Sequence, residues 1–208
     1  MGRTVTAPTI EAERTWAVMQ GVSTRGDWTE EDYLALTTNR LVEYSRGTLG
    51  VLPMPSERHQ DLVFFLAQLL AAFVRRHQLG KVTIAPLPVQ LWPGKFREPD
   101  IQFMRSEHVA RRRRSHWIGA DLVVEVLSPD DRRRDLETKR GEYAQAAIPE
   151  YWIVDPEAQR ITVLTLAGAE YAVHGEFGAD EQATSPLLPG FAVDVAALFA
   201  AAEGSQAP

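Results

Sequence analysis

The chain has no cysteine among its 208 residues. Disulfides and thiolate metal sites are therefore excluded, and the absence fits a reducing compartment. Positive charge is also in short supply: 22 lysines and arginines stand against 28 aspartates and glutamates. The resulting net charge of −6 argues against a surface that coats nucleic acid broadly. No long hydrophobic run is present either. The oiliest stretch, LVFFLAQLLAAFV from Leu62 to Val74, is too short to span a bilayer and contains Gln68. The opening MGRTVTAPTIEAER lacks the apolar core of a signal peptide. These absences lead to the expectation of a soluble, cytoplasmic protein with no membrane partner.

What is present is a globular composition, 45% hydrophobic, in a length that suits one domain. Residues 1–26 show no periodicity and read as a flexible tail, 27–201 as a single domain, and 202–208 as a second tail. TEEDYLALT opens with a capping-box pattern, Thr29 to Asp32, and predicts a short helix. RLVEYSRGTLGVLP alternates around Arg46-Gly47 and predicts a hairpin. From Ser56 to about Gln78 the period becomes helical, with Leu62, Leu66, Leu69 and Phe73 on one face and Val63, Leu70 and Val74 beside them. Ser56 is the expected N-cap and Gly80 the expected stop. Strand patterns follow in KVTIAP, PVQLWP, EPDIQFM and DLVVEVLS, the last a near-continuous apolar run typical of a buried central strand. Residues 132–147 read as a helix, EYWIVD as a strand, RITVLTLA and EYAVHGEF as a closing hairpin, and VDVAALFAAA as a terminal helix. The order predicts one α/β domain.

Two acids stand where a sheet should be apolar. In DLVVEVLS, strand alternation puts Asp121, Val123, Glu125 and Leu127 on one face, with Glu125 mid-strand. An unpaired carboxylate there would cost roughly several kcal/mol, so it calls for a cation or a metal. Asp121 lies about 13 Å back along the strand and belongs at its entrance. In EPDIQFM, Asp100 follows Pro99 at the start of another apolar strand. Two carboxylates on neighbouring strands suit a hard divalent cation, Mg²⁺ or Mn²⁺, and histidine-rich zinc spacing is absent. Lys139 supplies positive charge: Asp135, Lys139 and Tyr143 recur every four residues and share a helix face. If that helix packs behind the strand, Lys139 reaches Glu125, where it could orient or deprotonate a water or stabilise charge on a phosphate.

Plainer readings stand beside these. Asp100 after proline suits a turn. Glu125 could pair with an arginine, and Lys139 could form a surface pair with Asp135. His59, in the first turn of the long helix, either contacts substrate or is a satisfied helix-end histidine. Tyr151 and Trp152 read as core aromatics. The arginine runs, 111–114 and 132–134, read as solvated loops, with Arg132 and Arg133 as phosphate contacts if a nuclease site lies beside them.

The order of a P-D pair, a glutamate in an apolar strand and a helix lysine resembles the PD-(D/E)xK nuclease superfamily. More closely, RLVEYSRGTL, PSERHQDLV, EPDIQFM, DLVVEVLSPDDRRRDLETKRGEYAQAAIPEYWIVDP and SPLLPGFAVDVAALF are similar to the Uma family of restriction endonucleases, in order over residues 29–200. The resemblance implies a restriction-endonuclease-like mixed β-sheet flanked by helices, with additional β-hairpins. It implies Asp100 and Glu125 as ligands of Mg (or Mn), Glu43 as a further upstream acid ligand, and DNA as the substrate. The third position of E-x-K holds Leu127 here, and the family's migrated lysine falls on Lys139. A nuclease that cuts both strands often acts as a homodimer. A catalytically silent protein of the same fold, working in binding or assembly, is the other reading that the missing in-place lysine and the acidic charge favour.

Overall fold

The computed structural model describes residues 18, 24–26, 28–38, 40–129 and 132–203. Thr29 and Ser56 each use a side-chain oxygen to accept the backbone N–H three residues on, and each starts a helix. The first, α1 (Glu30–Ala35), carries the full reciprocal box between Thr29 and Asp32. The second, α2 (Glu57–Arg76), is the long core helix, ended at His77 and by a left-handed Gln78 rather than by Gly80. Its buried stripe is Leu62, Leu66, Leu70 and Val74, every fourth residue. The expected partners of Leu62 and Leu66 on that stripe were Leu69 and Phe73; Leu69 is instead exposed and Phe73 packs at the margin.

Two mixed sheets form the body. The first contains β1 (Thr24–Arg25), β2 (Val42–Ser45), β3 (Thr48–Val51), β5 (Val89–Trp92), β6 (Lys95–Arg97) and β8 (Trp117–Ile118), in the order β1-β3-β2-β6-β5-β8. Its hairpin between β2 and β3 turns at Arg46 and Gly47, both at positive φ, which is the turn chemistry that matches strand twist. Thr24–Arg25 fall in the segment expected to be a loose tail, yet they add an edge strand to β3, and Val18 is buried in the small core of Tyr33, Tyr44, Leu49 and Phe96. The rest of the expected tail, 1–17 and 19–23, lies outside the described residues.

The second sheet holds β4 (Gly80–Ile84), β7 (Ile101–Arg105), β9 (Leu122–Val126), β10 (Glu150–Asp155), β11 (Arg160–Ala167) and β12 (Glu170–Phe177), in the order β12-β11-β10-β9-β7-β4. Strand β9 is central, parallel to β10 and antiparallel to β7, and all five of its residues are buried. Leu122, Val124 and Val126 face α2 and the terminal helix α4 (Val195–Glu203), while Val123 and Leu127 face Tyr143, Ile148 and Tyr151. That second face is covered by a helical segment that begins as a wide π-type turn, Arg134–Lys139, and continues as α3 (Arg140–Gln145). A short strand pair, β13 (Gln182–Thr184) with β14 (Ala192–Asp194), precedes α4. Helix α4 runs to Glu203 with Ala202 buried, past the expected boundary at 201; residues 204–208 lie outside the described residues. Among the described residues, no helix is long and apolar enough to cross a membrane.

Because α2 seals one face of the second sheet, Leu66→Ala should remove about 2–5 kcal/mol of stability, read as a lower urea midpoint with an unchanged slope.

Candidate active site

Strands β7 and β9 pair with Ile101 opposite Val124, so one step further along that register Asp100 stands opposite Glu125. Residues opposite one another in an antiparallel pair share a face, which brings the two carboxylates to one edge of the sheet. Glu125 is not mid-strand: it is one residue from the end of β9, and this position opens it to a cavity of about 400 Å³. Asp100, Lys139, His59, Glu98, Asp135 and Arg58 also line that cavity.

Lys139 reaches Glu125 across this space. Its Nζ lies 2.8 Å from Glu125 Oε2 and 2.8 Å from Asp135 Oδ1, with all three side chains buried. The plainer pair of Lys139 with Asp135 is present, but buried rather than at the surface, and the partner of Glu125 is Lys139 rather than an arginine. The Tyr143 hydroxyl donates to Glu125 Oε1 at 2.5 Å, so two of the three residues predicted to share a helix face meet Glu125, and the third, Asp135, joins through Lys139. Tyr151 holds the π-type turn from below, its hydroxyl donating to the Asp135 carbonyl at 3.1 Å. Burial, with the charges of Asp135 and Asp100, pushes the Glu125 carboxyl up to about 8 despite Lys139. Burial alone would lower Lys139, but Glu125, Glu43 and Asp135 outweigh it and hold the lysine as an ammonium.

Asp100 Oδ2 accepts the Val126 N–H at 2.7 Å and lies 3.3 Å from His59 Nε2, which is itself 3.1 Å from the Val126 carbonyl oxygen. His59 is pushed down by burial but raised on balance by its hydrogen bond to Asp100 and by the charges of Asp100 and Glu125. Glu98, two residues before Asp100, accepts the Val42 N–H at 3.0 Å, and burial followed by the charge of Glu43 pushes it up to about 8.

Glu43, implied by the resemblance as a further acid ligand, does not line the cavity. It is buried on β2, and its Oε2 accepts from both Arg97 and Arg134. Arg97 also grips Glu142 through Nε at 2.6 Å and Nη2 at 2.9 Å, and Lys95 Nζ lies 2.6 Å from the same carboxylate. This ion-pair chain ties β2 and β6 of the first sheet to the helical segment that carries Lys139. Of the two arginines proposed for phosphate contact, Arg132 pairs with Asp155 at 2.5 Å and Arg133, largely exposed, with Glu137; neither lines the cavity. Arg58, which does line it, was overlooked, as were Glu98 and the Arg97–Glu142 pair. For Arg97 and Glu98 the one signal is the dense charge of KFREPD; Arg58 and Glu142 carry none.

Among the described residues no three of His, Cys, Asp and Glu form a ready cage. Asp100 and Glu125 are oxygen donors, and Glu98 and Asp135 add carboxylates to the same cavity. Burial first, and then the charges of Asp135 and Asp100, push Glu125 up against the pull of Lys139, an environment that a hard cation relieves. Mg²⁺ keeps several waters and takes one or two carboxylates, so a two-acid site with open space fits it.

A mixed central sheet flanked by helices, with a carboxylate–lysine cluster at one edge, defines a restriction-endonuclease-like domain. The chain belongs to the Uma2 family, described as "Putative restriction endonuclease", whose profile matches residues 30–196. It is similar in fold to the crystal structure of "a putative nuclease belonging to DUF820 from Anabaena variabilis ATCC 29413", with a TM-score of 0.69 and 19% sequence identity, over 84% of this chain and 99% of that one. No curated protein matches it.

The ion-pair chain sets an acid limit on stability. Glu43 and Glu142 are both held below the usual 4.5: burial opposes this in each, but Arg97, with its neighbouring cations, outweighs it. Their contribution is present above pH 4.5 and lost as pH falls through the depressed folded values. Urea midpoints measured from pH 7 to 3 should therefore fall below about pH 4.5. Glu43→Gln should lower stability at pH 7 by about 3–5 kcal/mol and flatten the acid limb.

Proposed function

We propose that this protein is a divalent-metal-dependent endonuclease that hydrolyses phosphodiester bonds of DNA. The observation that carries the reading is the Lys139 ammonium, 2.8 Å from Glu125, in a cavity whose wall includes Asp100 on the adjoining strand. In this reading Asp100 and Glu125 hold Mg²⁺ (or Mn²⁺), with Glu43 left out because two arginines already engage it. When bound, the cation supplies Lewis-acid stabilisation of charge on the scissile phosphate and makes a water more acidic.

The remaining chemistry falls to side chains of this chain. Lys139 is held as a cation by two carboxylates, so it acts as a donor: it orients the attacking water or meets negative charge as it develops on the phosphate. It is not a general base, because its proton is the more tightly held for being buried among anions. Tyr143 fixes the rotamer of Glu125, and the Val126 N–H fixes that of Asp100. Arg58 at the cavity wall is the cation best placed to meet a neighbouring phosphate.

Incubation of supercoiled plasmid with the full chain in Mg²⁺ or Mn²⁺ checks this reading. Nicked and linear products are expected, with none in EDTA. Asp100→Asn and Glu125→Gln should abolish cleavage, and Lys139→Met should lower the rate by about 10²–10⁴-fold while DNA binding persists. A folded wild-type protein that binds no divalent cation and cuts no DNA would favour the silent binding protein instead.

A further inference from the structure

Helix α2 turns its leucine stripe to the sheet, and its other side carries Phe64, 61% exposed. Contiguous exposed apolar surface marks a binding site more often than a lone apolar residue does. Phe64 is not alone: Met54 and Ile84, 60% and 48% exposed, line the same groove of about 550 Å³. Its walls come from Thr38, Arg40 and Leu41, from Met54 and Pro55, from the first two turns of α2 and from the end of β4 with the loop after it. The groove runs into the candidate site, because Leu41, Met54, Pro55, His59 and Asp100 line both spaces. Asp61 also lines it, and one oxygen of that carboxylate is sheltered from water without a hydrogen-bond partner among the described residues.

We propose that this groove is a nucleobase subsite. It takes an unstacked base adjacent to the phosphate in the cavity, so that the substrate is single-stranded or locally unpaired DNA rather than intact duplex. The proposal rests on the nuclease reading and narrows its substrate. An aromatic ring beside an apolar wall matches the face of a base, which every nucleotide offers when it is out of the helix. A base paired within a duplex presents only its edges in the grooves, and must be extruded before its face is available. The acidic chain, at net charge −6, gains little from lying along many duplex phosphates, so stacking close to the cut is the interaction left to provide affinity. Asp61 suits this occupant too: a carboxylate accepts from the amino groups of a base edge and repels a phosphate. Continuity with the cavity explains why the occupant is a nucleotide and not an unrelated apolar ligand.

The test uses the full chain in Ca²⁺, with a short oligonucleotide carrying 2-aminopurine as the single strand and as the matched duplex. Binding is read by fluorescence anisotropy and by quenching of the 2-aminopurine. The expected result is tighter binding and stronger quenching for the single strand. Phe64→Ala should weaken single-strand binding about 5- to 100-fold and remove the quench, with Phe64→Tyr restoring both. Because Phe64 is exposed, the urea midpoint should not move. Equal binding of strand and duplex, or no effect of Phe64→Ala, would overturn the proposal. So would a dimer that Phe64→Ala dissociates in light scattering, since the patch would then be a contact with a second copy. The two readings fail separately. Single-strand binding with quench intact but no cleavage of any DNA in Mg²⁺ or Mn²⁺ counts against the nuclease reading. Efficient cleavage of intact duplex, unaffected by Phe64→Ala, counts against the subsite alone.

Discussion

One buried ammonium shared by two carboxylates organises this protein. Lys139 sits 2.8 Å from Glu125 on the central strand and 2.8 Å from Asp135 on its own helical turn. Burial works against the charge of both acids and Lys139 partly offsets it, while their charges keep the buried lysine an ammonium. Such clusters are poor devices for stability alone, because well-packed apolar residues of similar volume commonly serve as well or better. Two acids to one lysine, with Asp100 and Glu98 facing the same cavity, leave an excess of negative charge next to open space. An arrangement of that kind is expected where a cation is to be received.

The position of the lysine is itself held from a distance. Glu43 on β2 engages Arg97 and Arg134, and Arg97 continues to Glu142 on α3. The first sheet thus braces the π-type turn and α3 from the side opposite the central strand, while Tyr151 supports the same turn from the second sheet. On the other face, α2 contributes both its leucine stripe and His59, whose ring bridges Asp100 and the Val126 carbonyl. Three structural layers therefore meet at the carboxyl end of β9. That central strand, buried at every residue, ends where the charges collect.

Much of this was legible in the sequence, for identifiable reasons. Glu125 and Asp100 stand out because they interrupt apolar strands, where an unpartnered acid is costly. Lys139 could be aligned with them because Asp135, Lys139 and Tyr143 recur at helical spacing; Lys139 and Tyr143 meet Glu125, and Asp135 joins through Lys139, despite the wider π-type winding. The helix caps at Thr29 and Ser56 and the Arg46-Gly47 turn follow from local chemistry and needed no tertiary information. What could not be read was which charged residues go inside. KFREPD is dense in charge, yet Lys95, Arg97 and Glu98 are buried, because their partners arrive from β2 and α3 and no local pattern announces them. The stripe of α2 also shifted, from Leu69 and Phe73 to Leu70 and Val74, because the crossing of helix over sheet, and not the hydrophobicity of a residue, decides which side is covered.

The account turns on whether the edge between β7 and β9 receives a metal. A crystal of the wild-type chain grown or soaked with Mn²⁺, with anomalous diffraction data, addresses that directly. The account predicts one anomalous peak inside the cavity, within coordinating distance of both Asp100 and Glu125, that disappears in Glu125→Gln. A cavity without a peak at millimolar Mn²⁺, or a peak held only by residues elsewhere on the surface, would contradict it.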